Sequence, residues 1–398
     1  MFRTLPPTAA PIQFRDLLSG VFSTFVDRSA ESKLKGQIQE YFKVKHLFLV
    51  SSGKAALYLS LRAMQQTSER NEVVIPAYSS FCLASAVART GLSIELCDID
   101  PETLDFDLAK LKSVITEKTL AVIAVHNYGL VCNMREIQRI ALGKGAYVVE
   151  DAAQAAGALF ENRKVGTIGD IGILSLGRGK NICALGGGVM LTDKEPLASF
   201  IDELLDLYPP ESPFPECSSM LTGMALSLFL HPERYAVPAR LPFLNLGANV
   251  FDPDFRIARF PHVNAGVGRR AFLSLDPYNE IRKRNGRLLS HNLGHNESLR
   301  IPKPLVSGQP VYLSFPIVFP EKETRRRVFR SLSRRRLGAS CSYPTQLNEV
   351  PAFKTYLCAE EDYPGAKFVA DRILTLPTHP YVNEQDIQRI VSRINRLT

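Results

Sequence analysis

The chain contains no C-x-x-C pair, and no uninterrupted apolar stretch approaches the ~20 residues that a membrane span requires. Its cysteines (Cys82, Cys97, Cys132, Cys183, Cys217, Cys341, Cys358) are scattered and odd in number. That argues against a disulfide framework or a zinc site, and for a reducing compartment. Met1-Phe2-Arg3-Thr4-Leu5-Pro6-Pro7 lacks the apolar core of a signal peptide, so the cytoplasm is the expected location. Internal repeats and low-complexity tracts are absent. So are zinc-finger spacings and basic stripes interleaved with aromatics, and no nucleic-acid partner is expected.

What is present is ordinary for a soluble enzyme: 398 residues, 45% apolar and 22% charged, enough for two domains or one large one. The net charge is +8, and Arg325-Arg326-Arg327 and Arg334-Arg335-Arg336 dominate the basic clusters. They flank Val328, Phe329, Leu332 and Leu337 at the spacing of one amphipathic helix, which makes the arginines its solvated face. The charge also suits an anionic partner.

Residues 13–45 read as helical, with Phe14, Leu17, Leu18, Val21 and Phe22 in phase. From His46 short apolar strands (Leu47–Val50, Val73–Ile75, Ile94–Leu96, Ala121–Val125, Tyr147–Glu150) alternate with helical stretches such as Ala55–Met64, Phe81–Arg89 and Met134–Leu142. Alternation of this kind predicts an α/β fold with a large, mostly parallel sheet covered on both faces. Ligands in such sheets sit beyond the carboxyl ends of strands. Residues 204–250 break the rhythm, with Pro209, Pro210, Pro213, Pro215, Pro238 and Pro242 around the apolar run Met220–Leu230. A buried or dimer-facing helix is the favoured reading there, and membrane-surface contact the competing one. The expected organisation is an N-terminal helical segment (1–45) packing with the small domain, a large domain (46–255) carrying the 204–250 insertion, and a small α+β domain (256–398).

The chemistry centres on Tyr147–Gly188. A buried strand ends in Asp151-Ala152-Ala153-Gln154; then come Gly166-Thr167-Ile168-Gly169-Asp170, a second apolar strand, and Gly177-Arg178-Gly179-Lys180 before Gly186–Gly188. An acid ending one strand and a lysine in a glycine-rich turn after another is what pyridoxal phosphate needs. The lysine forms the Schiff base, and the carboxylate keeps the pyridine nitrogen protonated. The competing reading of Asp151 is an N-cap for a helix begun by Ala152–Ala156. Ser52-Gly53-Lys54 follows a strand and opens a helix, an arrangement suited to a phosphate.

These residues, together with Pro76-Ala77-Tyr78-Ser79, His126-Asn127-Tyr128-Gly129, Tyr343-Pro344-Thr345-Gln346-Leu347 and Leu376-Pro377-Thr378-His379-Pro380, resemble the DegT/StrS family of sugar aminotransferases. The resemblance implies the fold of aspartate aminotransferase-like, type I pyridoxal-phosphate transferases. It implies a homodimer with its site at the subunit interface, L-glutamate as amino donor and a keto-sugar nucleotide as acceptor. Carried over residue by residue, it implies Lys180 and Asp151 as catalytic, Gln154 at the cofactor's ring oxygen, and Ser52, Gly53, Lys54 and Ser175 around its phosphate. The aromatic that stacks on the ring in the family is replaced here by Ser80, for which Tyr78 or Phe81 could substitute. Relatives that are sugar dehydratases carry histidine at the lysine position, so Lys180 argues against that reaction. A non-catalytic regulatory or assembly role is the remaining alternative.

Overall fold

The computed structural model describes residues 3–27, 29–208, 213–238, 250–359 and 361–398. Two helices open the chain, α1 (Phe14–Phe25) and α2 (Ala30–Phe42). Strands and helices then alternate: β1 (His46–Val50), α3 (Gly53–Gln65), β2 (Glu72–Pro76), α4 (Phe81–Arg89), β3 (Ser93–Cys97), α5 (Leu108–Val114), β4 (Thr119–Val125), α6 (Met134–Leu142) and β5 (Tyr147–Asp151). A hairpin, β6 (Leu159–Phe160) and β7 (Arg163–Lys164), leads into β8 (Ile171–Ser175) and β9 (Gly188–Thr192). Four helices follow: α7 (Glu195–Asp206), α8 (Pro213–Phe229), α9 (His262–Phe272) and α10 (Leu275–Leu293). The chain ends with β10 (Gly308–Gln309), β11 (Ser314–Val318), α11 (Lys322–Arg334), α12 (Pro364–Arg372), β12 (Ile373–Pro377) and α13 (Glu384–Asn395).

The main sheet has the order β1-β9-β8-β5-β4-β2-β3. β8, β5, β4, β2 and β3 pair in parallel, while β9 runs antiparallel to both neighbours, β1 and β8. Residues alternate between two cores: Val74, Val122, Ala124 and Val148 on one face, Val73, Ile75, Ile123 and Val149 on the other. β4 is buried along its whole length, as expected of a central strand covered on both sides. The consequence for chemistry is directional. Ser52, Tyr78, His126, Asp151 and Ser175 all follow or end strands that point the same way, so they gather at one sheet edge.

A smaller unit is built on the antiparallel pair β11–β12, with Phe315, Ile317, Leu332, Leu374, Leu376, Ile387 and Ile390 in its core. The change of core lies within α10: Leu275 belongs to the sheet's core, whereas Leu289 and Leu293 belong to the smaller one. The N-terminal segment also divides. Leu34, Ile38 and Phe42 of α2 pack with Leu47, Leu49 and Phe272 on the large sheet. α1 lies along α9 at glycines that admit no Cβ: one on Gly20 would meet Val267 at 2.7 Å, and one on Gly266 would meet Ser23 Oγ at 2.2 Å. The stretch before α1 does reach the smaller unit, where Leu5 N–H donates to Arg336 O (3.0 Å) and Arg3 pairs with Asp386 (3.1 Å). α2 carries its apolar stripe directly into β1, and that short link keeps it on the large sheet.

Within the segment expected to be an insertion, α8 packs Gly223 against Leu17 and Leu185. It leaves Leu221, Met224 and Leu228 exposed, beside Phe14, Leu18, Phe22 and Phe25 of α1. Pro209, Pro210 and Pro242 lie outside the described residues. Among the described residues, no helix is long and apolar enough to cross a membrane.

Candidate active site

Asp151 ends β5 half-buried, with the Lys180 side chain the strongest charge acting on it. Burial pushes its carboxyl up from the usual range; the Lys180 ammonium and the Ala153 N–H (3.0 Å to Oδ1) oppose that shift. The helix expected from Ala152 does not form. Ala155 N–H returns to Ala152 O and Ala158 N–H to Ala155 O, each at 2.9 Å, and Gly157 at φ +88° takes the chain out of the turn. Asp151 is therefore not a helix cap. Lys180 lies half-buried in the β8–β9 connection, and its ammonium makes no hydrogen bond or ion pair with any described residue. Its backbone is held by Arg282, whose guanidinium donates to Lys180 O (3.3 Å) and Ala9 O (3.1 Å).

Arg282 escaped the sequence reading. It is fully buried, and burial lowers its guanidinium to about 9. The signal was available: Asn279, Arg282 and Asn285 share the helical stripe of Leu275, Leu289 and Leu293, which marks them as inward-facing. Glu150 was missed too. It is fully buried and accepts from the N–H groups of Gly166 (2.7 Å), Ile168 (2.5 Å) and Gly169 (2.6 Å), and from His126 Nε2 (3.2 Å). The glycine motif at 166–170 is thus a backbone cage for the carboxylate beside Asp151. A Cβ on Gly172 would lie 1.9 Å from Gly166 O, so the cage closes only over glycine. The His126 Nδ1 accepts from Cys132 N–H (3.1 Å), which leaves Nε2 as the donor to Glu150. Because side chains alternate along β5, Glu150 and Asp151 point to opposite faces.

At the start of α3, Ser52 Oγ accepts from Ala55 N–H (3.1 Å) and Ser52 O from Ala56 N–H (3.0 Å). The N–H groups of Gly53 and Lys54 are first-turn donors with no intrahelical partner. Gly53 faces Ser175, whose Oγ would stand 3.5 Å from an added Cβ. Ser52, Gly53 and Ser175 thus form one concave corner, with small side chains and a helix N-terminus. The Lys54 side chain turns away from it. Its ammonium pairs with Asp252 (3.3 Å) and lies 4.7 Å from the Phe255 ring centre. Only the main chain of Lys54 belongs to the corner.

Gln154 ties together two segments far apart in the chain. Its Oε1 accepts from Tyr128 N–H (3.0 Å) and its Nε2 donates to Tyr343 OH (2.6 Å). Tyr78 is fully buried, with its hydroxyl bonded to Tyr128 OH (2.6 Å), Ser342 O (2.8 Å) and Tyr343 N–H (2.8 Å). Its ring meets Tyr343 edge-on at 5.7 Å. That position makes Tyr78 a support for Tyr343. Ser80 is the N-cap of α4, its Oγ accepting from Cys82 N–H (3.2 Å).

A strand-end acid, a partnerless lysine and a helix N-terminus at one edge of a mostly parallel sheet define an aminotransferase-type centre on an α/β scaffold. The chain belongs to the DegT/DnrJ/EryC1/StrS aminotransferase family, whose profile matches residues 19–207 and 256–395. It is 27% identical to a pleiotropic regulatory protein of Geobacillus stearothermophilus, over 94% of this chain and 90% of that one. It is 28% identical to a GDP-perosamine synthase of Caulobacter vibrioides, over 90% and 87%. Among solved structures, the aminotransferase TlmJ from Streptoalloteichus hindustanus superposes with a TM-score of 0.80 at 20% identity, covering 99% of this chain and 98% of that one. The last comparison concerns the fold.

Proposed function

We propose that this aminotransferase uses pyridoxal phosphate to move an amino group from L-glutamate to the keto group of a nucleotide-linked sugar. One observation carries the reading: a partnerless Lys180 acts on the strand-end Asp151, at the sheet edge that also carries the Gly53–Ser175 corner. The residues fit the cofactor. A Cβ on Gly53 would come into van der Waals contact with Ser175 (3.4 Å), on the side where the first-turn N–H groups are donors suited to a phosphate. When bound, the cofactor supplies an electron-withdrawing ring conjugated to the substrate carbon.

The chain's own residues do the rest. Asp151 would face the ring nitrogen; burial pushes its carboxyl up, and the Lys180 charge and the Ala153 N–H oppose that shift. Lys180 would hold the cofactor, and its amine would serve as the group that moves a proton at the substrate carbon. Ser175 Oγ and the Gly53 and Lys54 N–H groups would hold the cofactor's phosphate, and Gln154 would offer its remaining N–H to the cofactor. The similarity to a GDP-perosamine synthase supports a nucleotide-linked acceptor. The net charge of +8 suits its diphosphate.

The active form is a homodimer joined through the apolar face of α1 and α8, where Phe14, Leu18, Phe22, Phe25, Leu221, Met224 and Leu228 are exposed. Sedimentation of a stable, fully active monomer would rule that out. For the reaction, the test is to load the protein with pyridoxal phosphate and glutamate and offer a panel of keto-sugar nucleotides beside pyruvate and oxaloacetate. Mass-detected amino-sugar product is the expected outcome. Efficient amination of keto acids alone would remove the sugar acceptor and leave the aminotransferase intact.

A further inference from the structure

The groove between α11 and α13 is lined by Arg327, Arg330, Arg334, Arg335 and Arg393 and encloses about 700 Å³. That is the size of a small-molecule pocket, for which ~300–1,000 Å³ is usual. The one acid along it, Glu323, is already engaged by Arg326 at 2.5 Å. Two of the guanidiniums are oriented without being neutralised: Arg327 donates to Leu397 O (2.7 Å), and Arg393 Nε donates to Ser331 Oγ. The guanidiniums of Arg330, Arg334 and Arg335 make no hydrogen bond or ion pair with any described residue. Like charges gathered in one concavity repel, and an anion placed among them relieves that repulsion.

We propose that this groove binds a soluble oligophosphate, a short run of phosphate groups without a base. The arginine fork matches phosphate oxygens in pairs, which a lysine cannot do. No aromatic side chain lines the groove, so a nucleobase would find no stacking platform. No large apolar side chain is exposed on α11 or α13, so nothing there would enter a bilayer beside a lipid headgroup. The groove is separate from the candidate active site. α11 turns Val328 and Leu332 into the core and sends Arg325 to Cys341 Sγ (3.1 Å), on the side of the strand that leads to Tyr343. The arginines of the groove occupy the opposite face.

The test is calorimetric titration of the full-length protein with sodium tripolyphosphate, with Arg330→Ala/Arg334→Ala as comparison and sedimentation with phosphatidylglycerol vesicles as a second arm. Both substituted residues are exposed, so near-ultraviolet circular dichroism should be unchanged. Tripolyphosphate should bind the wild type at least tenfold more tightly than the double variant, with affinity falling as salt rises, and equally well in Lys180→Ala. Vesicles should not pull the protein down. Equal or absent binding in wild type and double variant would overturn the proposal. So would vesicle capture without tripolyphosphate binding, or binding lost with Lys180, which would assign the anion to the active site.

Discussion

Gln154 donates to the Tyr343 hydroxyl at 2.6 Å, so a side chain three residues past Asp151 is fixed by a tyrosine 189 positions further along the chain. With Tyr128 N–H on its other end, the amide cannot flip without breaking both bonds. Its remaining N–H is therefore held in one direction by these two bonds.

Tyr343→Phe should remove one hydrogen bond and keep the ring contacts to Tyr78 and Tyr128. The loss is about 1 kcal/mol, or roughly fivefold in cofactor affinity. Absorbance titration of the apoprotein with pyridoxal phosphate reads it directly. Tyr343→Ala should lose more, because the ring contacts go as well. Unchanged affinity in the Phe variant would show that the hydroxyl does not control Gln154.

Lys180→Ala should fold normally, since the ammonium makes no contact that folding depends on. It should bind cofactor without a covalent link. Borohydride reduction and peptide mapping of the wild type should label Lys180. Label on Lys54, paired with Asp252, or on Lys164, held over the Tyr41 ring, would move the attachment site.

Asp151→Asn should retain cofactor yet lose turnover by on the order of 10²-fold or more, because an amide cannot keep the ring nitrogen protonated. The Ala153 N–H can still bond the amide oxygen, so folding should be preserved. Turnover within a few-fold of wild type would make Asp151 a turn-forming residue only.

Acid should destabilise the protein through His379. It is fully buried, its Nε2 donates to Pro6 O (2.8 Å), and burial lowers it from 6.5 to about 4. The positive charges of Arg282 and Arg3 push in the same direction. The unfolded chain takes up a proton near pH 6.5 and the folded one resists until about 4, so this stability is present above 6.5 and lost as pH falls between those values. By pH 5 the loss is about 2 kcal/mol. Urea midpoints at pH 7.5 and 5 should separate less in His379→Gln, whose amide can still reach Pro6 O. An identical pH dependence in the variant would place the acid sensitivity elsewhere.

The alternation of strand and helix from His46, the gathering of Ser52, Asp151 and Ser175 at strand ends, and the glycine turn around Lys180 were legible in the sequence. Each follows from local rules: the hydrophobic period, the chirality of the connections, and the positive φ that glycine supplies. Other features were not. Ala152–Ala156 has the composition of a helix, yet the chain makes successive tight turns, Ala155 N–H to Ala152 O and Ala158 N–H to Ala155 O (2.9 Å each), and leaves them at Gly157 with φ +88°. Lys54 stands in a phosphate-binding position, and only the approach of Asp252 shows that its ammonium is engaged elsewhere.

By itself the sequence determined the class of fold and marked Asp151 and Lys180 as candidates, because strand periodicity and glycine-rich turns are short-range patterns. Tertiary structure alone decided the Glu150 cage, the burial of Arg282 beneath Lys180, and the tie between Gln154 and Tyr343. Those depend on which polar groups meet across long separations. A buried donor or acceptor is satisfied by whatever the packing brings to it, and no local pattern records that choice.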